Sequence, residues 1–345
     1  MNDSSHGLPI AISIGDPAGI GPETVARLFR DHADEMRGCF AVGDTVVLRR
    51  AAACLGTPSL PVWCLDAAAE AWSSPSRCLP VLPVVQARAP VAWGVISAEA
   101  GRQAAEAVVW GARAALRGEV AALVTAPLHK EALSAAGVDF PGHTELLQSE
   151  AAAFLGRPVD AVPVRMMLAN TELRTVLVSI HMSLRRALDA VTFDNVLETL
   201  RISHASLSRL LGRAPRLAVA GLNPHAGEGG LFGREEIETI GPAIAAARAE
   251  GVDAAGPFAP DTIFMRARAG AGKPDGFDAV IAMYHDQGLI PVKYLGIEDG
   301  VNVTLGLPLV RTSPDHGTAF DLAGTGRADA SSLLAAVRMA RQLAG

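Results

Sequence analysis

Several features that would place the chain in a special class are scarce or missing. Only 4 of the 345 residues are cysteine, and no two of them form a CxxC pair. This argues against a disulfide-stapled secreted domain and against a cysteine zinc site. We expect free, buried thiols at all four positions, which are Cys39, Cys54, Cys64 and Cys78. Charged residues make up only 19% and hydrophobic residues 50% of the chain, which excludes an intrinsically disordered protein.

The sequence also lacks a membrane or targeting signal. No apolar run reaches the roughly 18 residues of a membrane helix, and the start, Met1–His6, has neither a basic nor an apolar region. The net charge is −6, and no long basic run is present. We therefore expect a cytoplasmic protein that binds neither membranes nor nucleic acid, although a local cationic pocket for a small anion remains compatible with this charge.

Short apolar runs alternate with long Ala-rich helical stretches, and 34 Gly and 22 Pro residues supply the turns. This alternation predicts an α/β fold with a mostly parallel sheet. At roughly 150 residues per domain we expect two domains. We place the first at residues 1–136 plus 306–345 and the second at 137–305, because Gly and Pro cluster near Gly137–Pro141.

Three histidines each follow an apolar run that is typical of a buried strand. They are His181, His225 and His285. Because ligands collect at the carboxyl ends of parallel strands, the three side chains can meet in one cleft. Three imidazoles with an open position describe a catalytic metal site. Three unrelated loop histidines with ordinary hydrogen bonds are the alternative.

Two carboxylates lie near these histidines. Asp286 directly follows His285, where it can orient the imidazole or accept a proton. Asp261 lies in a Pro-rich loop, where it can serve the same chemistry or simply cap a helix.

A second set of residues suits a phosphate. Pro141 and Gly142 precede a helix that starts with His143 and Thr144, and free N–H groups at such a start bind anions; Thr144 can equally be a helix cap. Lys293, Asn302 and Arg311 flank later apolar runs. Converging Lys and Arg side chains would hold a phosphate, although each taken singly can be a solvated surface charge.

Two glycine-rich loops stand out, Gly15–Glu23 and His316–Gly326. Neither is a GxGxxG fingerprint or a Walker A loop. Their small residues allow the backbone to approach a ligand closely, or to form a structural turn.

Together these motifs resemble the 4-hydroxythreonine-4-phosphate dehydrogenase (PdxA) family. The matching segments follow one another along nearly the whole chain: IGDPAGIGPE at 14–23, VTAPLHKEAL at 124–133, FPGHTEL at 140–146, HMSL at 181–184, AGLNPHAGE at 220–228, MYHDQGLIPVKY at 283–294 and VNVTLGLPLVRTSPDHGTAFDLAGTG at 301–326.

The resemblance implies a two-domain fold like that of isocitrate and isopropylmalate dehydrogenases, with the active site in the interdomain cleft at a homodimer interface. It also implies one divalent metal ion per site, zinc, magnesium, manganese or cobalt. Three histidines hold it, matching His181, His225 and His285, and the third is supplied by the partner subunit.

The resemblance further assigns substrate and cofactor positions. The substrate positions carry over to His143, Thr144, Lys293, Asn302 and Arg311. NAD or NADP is expected at the two glycine loops, which resemble those of isopropylmalate dehydrogenases, at Gly15, Asp16, His316, Gly317, Ala319 and Asp321.

The implied reaction oxidises a phosphorylated hydroxy acid and then releases CO₂. We expect 4-phosphohydroxy-L-threonine as substrate, 3-amino-2-oxopropyl phosphate as product, and Asp286 or Asp261 as proton acceptor. Relatives that act on 4-phospho-D-threonate, 4-phospho-D-erythronate or aromatic cis-dihydrodiol dicarboxylates are alternatives within the family. A metal-dependent lyase or hydrolase without nicotinamide is the alternative from another class.

Overall fold

The computed structural model describes residues 7–56, 60–296 and 298–345, so that Met1–His6 lies outside the described residues. In chain order its strands are β1 Ile10–Ser13, β2 Cys39–Val42, β3 Val62–Cys64, β4 Leu79–Leu82, β5 Ala122–Thr125, β6 Arg165–Ala169, β7 Arg174–Leu177, β8 Leu217–Ala220, β9 Ala254–Phe258, β10 Ala279–Ala282, β11 Val301–Leu305 and β12 Arg311–Pro314.

Its α-helices are α1 Gly21–Asp31, α2 Thr45–Cys54, α3 Ala98–Leu116, α4 Lys130–Ala135, α5 His143–Leu155, α6 Leu184–Ala190, α7 Phe193–Leu211, α8 Gly241–Ala249, α9 Pro260–Ala269, α10 His285–Leu295 and α11 Ser331–Ala344. A π-helical turn at Glu236–Ile240 precedes α8. None of the described helices is long and apolar enough to cross a membrane.

The chain divides into two compact units, Met1–Pro163 with Leu307–Ala344, and Val164–Gly306. In the first unit the strand order is β3-β4-β2-β1-β5-β12, with parallel pairing throughout. The central strand β1 is fully buried, and its last residue, Ser13, is in register with Val42 and Thr125. The loops that follow β1 and β5 therefore leave the sheet at the same edge.

In the second unit the strand order is β11-β6-β7-β10-β8-β9. Strands β7, β10, β8 and β9 are parallel, whereas β6 is antiparallel to both β11 and β7. The α/β fold with mostly parallel strands is thus confirmed. The antiparallel strands come from a tight connection, since Asn170 Oδ1 accepts hydrogen bonds from the backbone N–H groups of Glu172 and Leu173 between β6 and β7.

The structure divides the chain at 163/164, where the sequence analysis placed the division at 136/137. Residues 137–163 belong to the first unit because α5 packs against α3, and Arg113 Nε donates to Glu150 Oε2 at 2.7 Å. The Gly and Pro residues near 137–141 mark the start of α5.

All four cysteines are free, but the expectation that all are buried is wrong. Cys39 and Cys78 are buried, Cys54 is partly exposed and Cys64 is exposed. Cys64 ends β3, the edge strand of the first unit, and an edge strand has a neighbour on one side only.

Candidate active site

The three histidines follow three neighbouring strands of the second unit. His181 follows β7, His285 follows β10 and His225 follows β8, each within five residues of the strand end. These strands lie side by side in the order β7-β10-β8. Parallel strands expose their carboxyl ends at one edge, so all three histidines belong to that edge.

Two of the three histidines meet. The ring centroids of His181 and His285 are 5.5 Å apart with a 47° tilt between the rings. Together with Asp286 they line a pocket of about 480 Å³. This geometry and the imidazole donors fit a pair of ligands to one divalent ion.

His225 does not join this pair within one chain. It lines a separate pocket of about 630 Å³, together with Asp261. In the part of the chain that the structure describes, no group of three or more His, Cys, Asp or Glu side chains is placed to hold a metal ion.

Asp286 contacts both pockets and the histidine pair. Its Oδ1 lies 2.7 Å from Nδ1 of His285, and it also lines the His225 pocket. A carboxylate in this position fixes the orientation of the imidazole and is within reach of a proton on a bound molecule. Asp261 is the second residue of α9 and caps nothing, since the cap position is Ala259 and carries no side-chain hydrogen bond.

Gln287 links two of the histidine strands and was missed by the sequence analysis. Its Oε1 accepts the N–H of Met283 at 2.6 Å, and its Nε2 donates to the carbonyl of Gly221 at 2.8 Å. The amide therefore joins the ends of β10 and β8, just before His285 and His225. Its role depends on contacts with residues 4 and 66 positions away, which no local pattern in the sequence indicates.

The first unit holds part of the predicted phosphate set, His143, Thr144 and Arg311. Arg311 is only 4% exposed, and its Nε and Nη2 donate to Thr125 Oγ1 at 3.2 and 2.8 Å. Burial lowers the pKa of Arg311 to about 10, so the guanidinium keeps its charge at neutral pH. A buried cation with an oriented fork suits a phosphate.

His143 begins α5 beside this guanidinium. Burial, and secondly the charge of Arg311, lower the pKa of His143 well below its ordinary value. Its Nε2 is buried without a hydrogen-bond partner. The imidazole is therefore neutral, with one nitrogen available to a ligand. Thr144 is the second residue of the helix and does not cap it, because the cap position is Gly142.

Thr125 was missed as a site residue by the sequence analysis. It is the last residue of β5, and its hydroxyl is the anchor of Arg311. The signal that singled out the histidines, a polar residue at the end of an apolar run, was present here too.

The other predicted substrate residues, Lys293 and Asn302, lie in the second unit. Lys293 is in the last turn of α10, the helix that begins at His285. Eight residues of helix separate the two by about 12 Å along the axis. Asn302 lies on β11, in register with Leu168.

The two glycine loops touch each other within the first unit. The N–H of Ile20 donates to the carbonyl of Thr318 at 3.0 Å. The ring of Phe320 stacks on His129, with 4.9 Å between centroids. Gly15 has φ +68°, and a Cβ there would lie 2.2 Å from the Pro127 carbonyl oxygen, so no other residue fits without a backbone shift.

The predicted cofactor residues belong to these two loops. Asp16 Oδ1 accepts the N–H of Ala18 at 2.8 Å, while burial raises the pKa of its carboxyl and Oδ2 has no partner. His316 Nδ1 lies 3.0 Å from the Gly317 carbonyl oxygen, and its Nε2 is buried without a partner. Ala319 has φ +38°, and Asp321 is exposed.

Comparison with known proteins identifies the family. The family model described as "Pyridoxal phosphate biosynthetic protein PdxA" matches residues 35–340. The chain belongs to the PdxA family. The 4-hydroxythreonine-4-phosphate dehydrogenase of Beijerinckia indica is 49% identical over 97% of this chain and 95% of the relative. The D-threonate 4-phosphate dehydrogenase of Salmonella typhimurium is 44% identical over 97% of this chain and 98% of the relative.

Among solved structures, the 4-hydroxythreonine-4-phosphate dehydrogenase of Klebsiella pneumoniae is similar with a TM-score of 0.87. It is 40% identical, and the similarity covers 99% of both chains. The resemblance inferred from the sequence motifs is thereby confirmed at the level of the family.

Proposed function

We propose that this chain is an NAD(P)-dependent 4-hydroxythreonine-4-phosphate dehydrogenase of pyridoxal phosphate biosynthesis. It oxidises 4-phosphohydroxy-L-threonine to the 3-oxo acid, which decarboxylates to 3-amino-2-oxopropyl phosphate. The observation that carries this proposal is the His181–His285 pair with Asp286 at the ends of parallel strands. The 49% identity to a relative with this name supports the choice of substrate.

His181, His225 and His285 would hold one divalent ion, of zinc, magnesium, manganese or cobalt. Bound there, the ion acts as a Lewis acid that polarises the substrate alcohol and the later carbonyl. Asp286, whose carboxylate contacts the His285 ring, accepts the alcohol proton, and Asp261 in the His225 pocket is the second candidate.

The phosphate is bound by the cationic set. Arg311 presents a charged fork oriented by Thr125, and neutral His143 supplies its unpartnered Nε2. The start of α5 at Thr144 adds free backbone N–H groups to this cluster. Lys293 and Asn302, which lie in the second unit, are the other proposed substrate residues. The dinucleotide occupies the two glycine loops, where the unpartnered Asp16 Oδ2 and His316 Nε2 are available to it.

The enzyme works as a homodimer that shares its active sites. Apolar side chains next to His181 are exposed in the single chain, at 41% for Met182, 59% for Leu184 and 47% for Leu188. Exposed apolar surface beside a polar pocket is typical of an interface. A partner seated there would complete the metal site with its own copy of one of the three histidines.

A second candidate substrate is 4-phospho-D-threonate, because a relative named for it is 44% identical over 97% of this chain. 4-Phospho-D-erythronate offers the same phosphate and hydroxy acid. A cis-dihydrodiol dicarboxylate carries no phosphate and would offer Arg311 a carboxylate in its place.

The test is an assay of NADH and NADPH formation with added metal. It compares 4-phosphohydroxy-L-threonine, 4-phospho-D-threonate and 4-phospho-D-erythronate. We expect the highest kcat/KM for the first, and the highest value for another compound would reassign the substrate. Conversion of a substrate in the absence of NAD and NADP would instead favour a metal-dependent lyase or hydrolase.

The metal is tested by His225→Ala, assayed for metal content and turnover. We expect loss of both. Full activity with bound metal in this variant would overturn the metal assignment.

A further inference from the structure

The loop that carries His225 has an unusual backbone. Residues 225–229 all have positive φ, from +42° to +80°, and form one left-handed turn. Three of them, His225, Ala226 and Glu228, are not glycine. L-residues rarely adopt this region, and a run of them persists only where surrounding contacts hold it.

The buried carboxylate of Glu236 supplies such contacts. Glu236 is 4% exposed and begins the π-helical turn. Its Oε1 accepts the backbone N–H groups of Leu222 and Asn223 at 2.7 and 2.8 Å, and its Oε2 accepts Nδ2 of Asn223 at 3.0 Å. These bonds fix the segment that enters the left-handed turn, two residues before His225.

The glycines of the loop make room for this carboxylate. A Cβ at Gly221 would lie 3.0 Å from Oε1 of Glu236, and a Cβ at Gly227 would lie 2.7 Å from Oε2. The backbone therefore packs closely against the Glu236 carboxylate at two places, just after β8 and within the left-handed turn. Hydrogen bonds to a charged, buried acceptor are among the stronger ones in proteins.

We propose that Glu236 is a positioning residue for His225. By stabilising the left-handed turn, it holds the His225 imidazole in the orientation needed to bind a metal ion. The inference rests on the proposed metal role of His225. Glu236 itself touches neither metal nor substrate in this role. The turn gives His225 an orientation that ordinary right-handed backbone would not.

The test is Co²⁺ binding to the full-length metal-free protein, followed by calorimetry and by the visible absorption of the cobalt form. In Glu236→Gln the amide oxygen can still accept the backbone N–H groups, but its NH₂ faces the NH₂ of Asn223. We expect the Co²⁺ dissociation constant to rise about tenfold, as for other residues that orient metal ligands. We also expect a changed cobalt spectrum and a thermal midpoint within a few degrees of the wild type.

The matched control is Glu238→Gln, since Glu238 lies in the same π-helical turn but is 58% exposed and pairs with Arg234. It should leave affinity and spectrum unchanged. If Glu236→Gln does not fold, Gly227→Ala tests the same contact from the loop side, and the same rise in dissociation constant is expected.

Wild-type affinity and spectrum in a folded variant of either kind would overturn the inference. Failure of the proposed function looks different. In that case the wild type itself does not bind Co²⁺, or His225→Ala binds it equally well.

Discussion

The Arg311 cluster and the histidine edge are built in opposite ways. In the cluster, Arg311 and Thr125 are buried and hydrogen-bonded to each other, and the half-buried His143 lies beside them, all within one chain. The histidine edge is the edge of the second unit's sheet where β7, β10 and β8 end. Among the described residues its His181 and His285 rings meet while His225 lies apart, and exposed apolar side chains border it. Under the proposed function, a single chain would preform the phosphate site, whereas the metal site would be completed only on assembly.

The largest effect is expected from a substitution that blocks dimer assembly at the histidine edge. Leu184→Asp places a charge on an apolar side chain that is 59% exposed and lines the His181 pocket. We expect a monomer by light scattering, loss of bound Co²⁺ and turnover reduced about 10³-fold, because a Lewis acid contributes several kcal/mol.

Val46→Asp is the matched control, since Val46 is 68% exposed on α2 of the first unit. It should remain dimeric and active. A monomeric Leu184→Asp variant that still binds Co²⁺ like the wild type would contradict the shared metal site. A variant that stays dimeric would show that Leu184 does not lie in the dimer interface.

The buried cluster is tested by Arg311→Lys. Lysine keeps the charge but loses the fork that Thr125 orients. We expect the KM for the phosphorylated substrate to rise about 10- to 100-fold, since hydrogen bonds to charged groups contribute about 1.5–3 kcal/mol. The KM for the nicotinamide cofactor should not change.

Arg338→Lys is the control for this substitution, because Arg338 pairs with Glu35 on the surface of the same unit. A wild-type substrate KM in Arg311→Lys would mean that the phosphate binds elsewhere.

The smallest effect concerns pH and stability. The pKa of His143 is lowered below its ordinary value of 6.5, so near pH 6.5 the unfolded chain takes up a proton that the folded chain does not. Stability contributed by neutral His143 is present above that pH and is lost as the pH falls below it.

Between pH 8 and pH 5.5 the wild type should lose about 1 kcal/mol more than His143→Gln. Urea denaturation at both pH values measures this. Equal losses in the two proteins would show that the imidazole is not held neutral.

Elements with local signals were predictable. Helix α7 runs from Phe193 to Leu211, because Thr192 caps its start and Gly212 ends it in a left-handed conformation. Helix α5 likewise ends at a glycine in the left-handed conformation, Gly156. The strand before each histidine was predictable from a short buried apolar run.

Features that depend on distant contacts were not predictable. The carboxylate of Glu236 acts on residues 13 and 14 positions away, and Thr125 and Arg311 are 186 positions apart. Asp261 is a residue type that often caps helices, but it lies two positions beyond the cap position, Ala259. Local patterns carry no information on such pairings.

The sequence by itself determined the family, the α/β class and the histidine, carboxylate and cationic residues, because these depend on residue type and short-range order. Only the tertiary structure decided that His181 meets His285 without His225, that residues 137–163 join the first unit, and that Arg311 is buried against Thr125. The physical reason is that burial and the meeting of strand ends arise from packing between residues far apart in the chain.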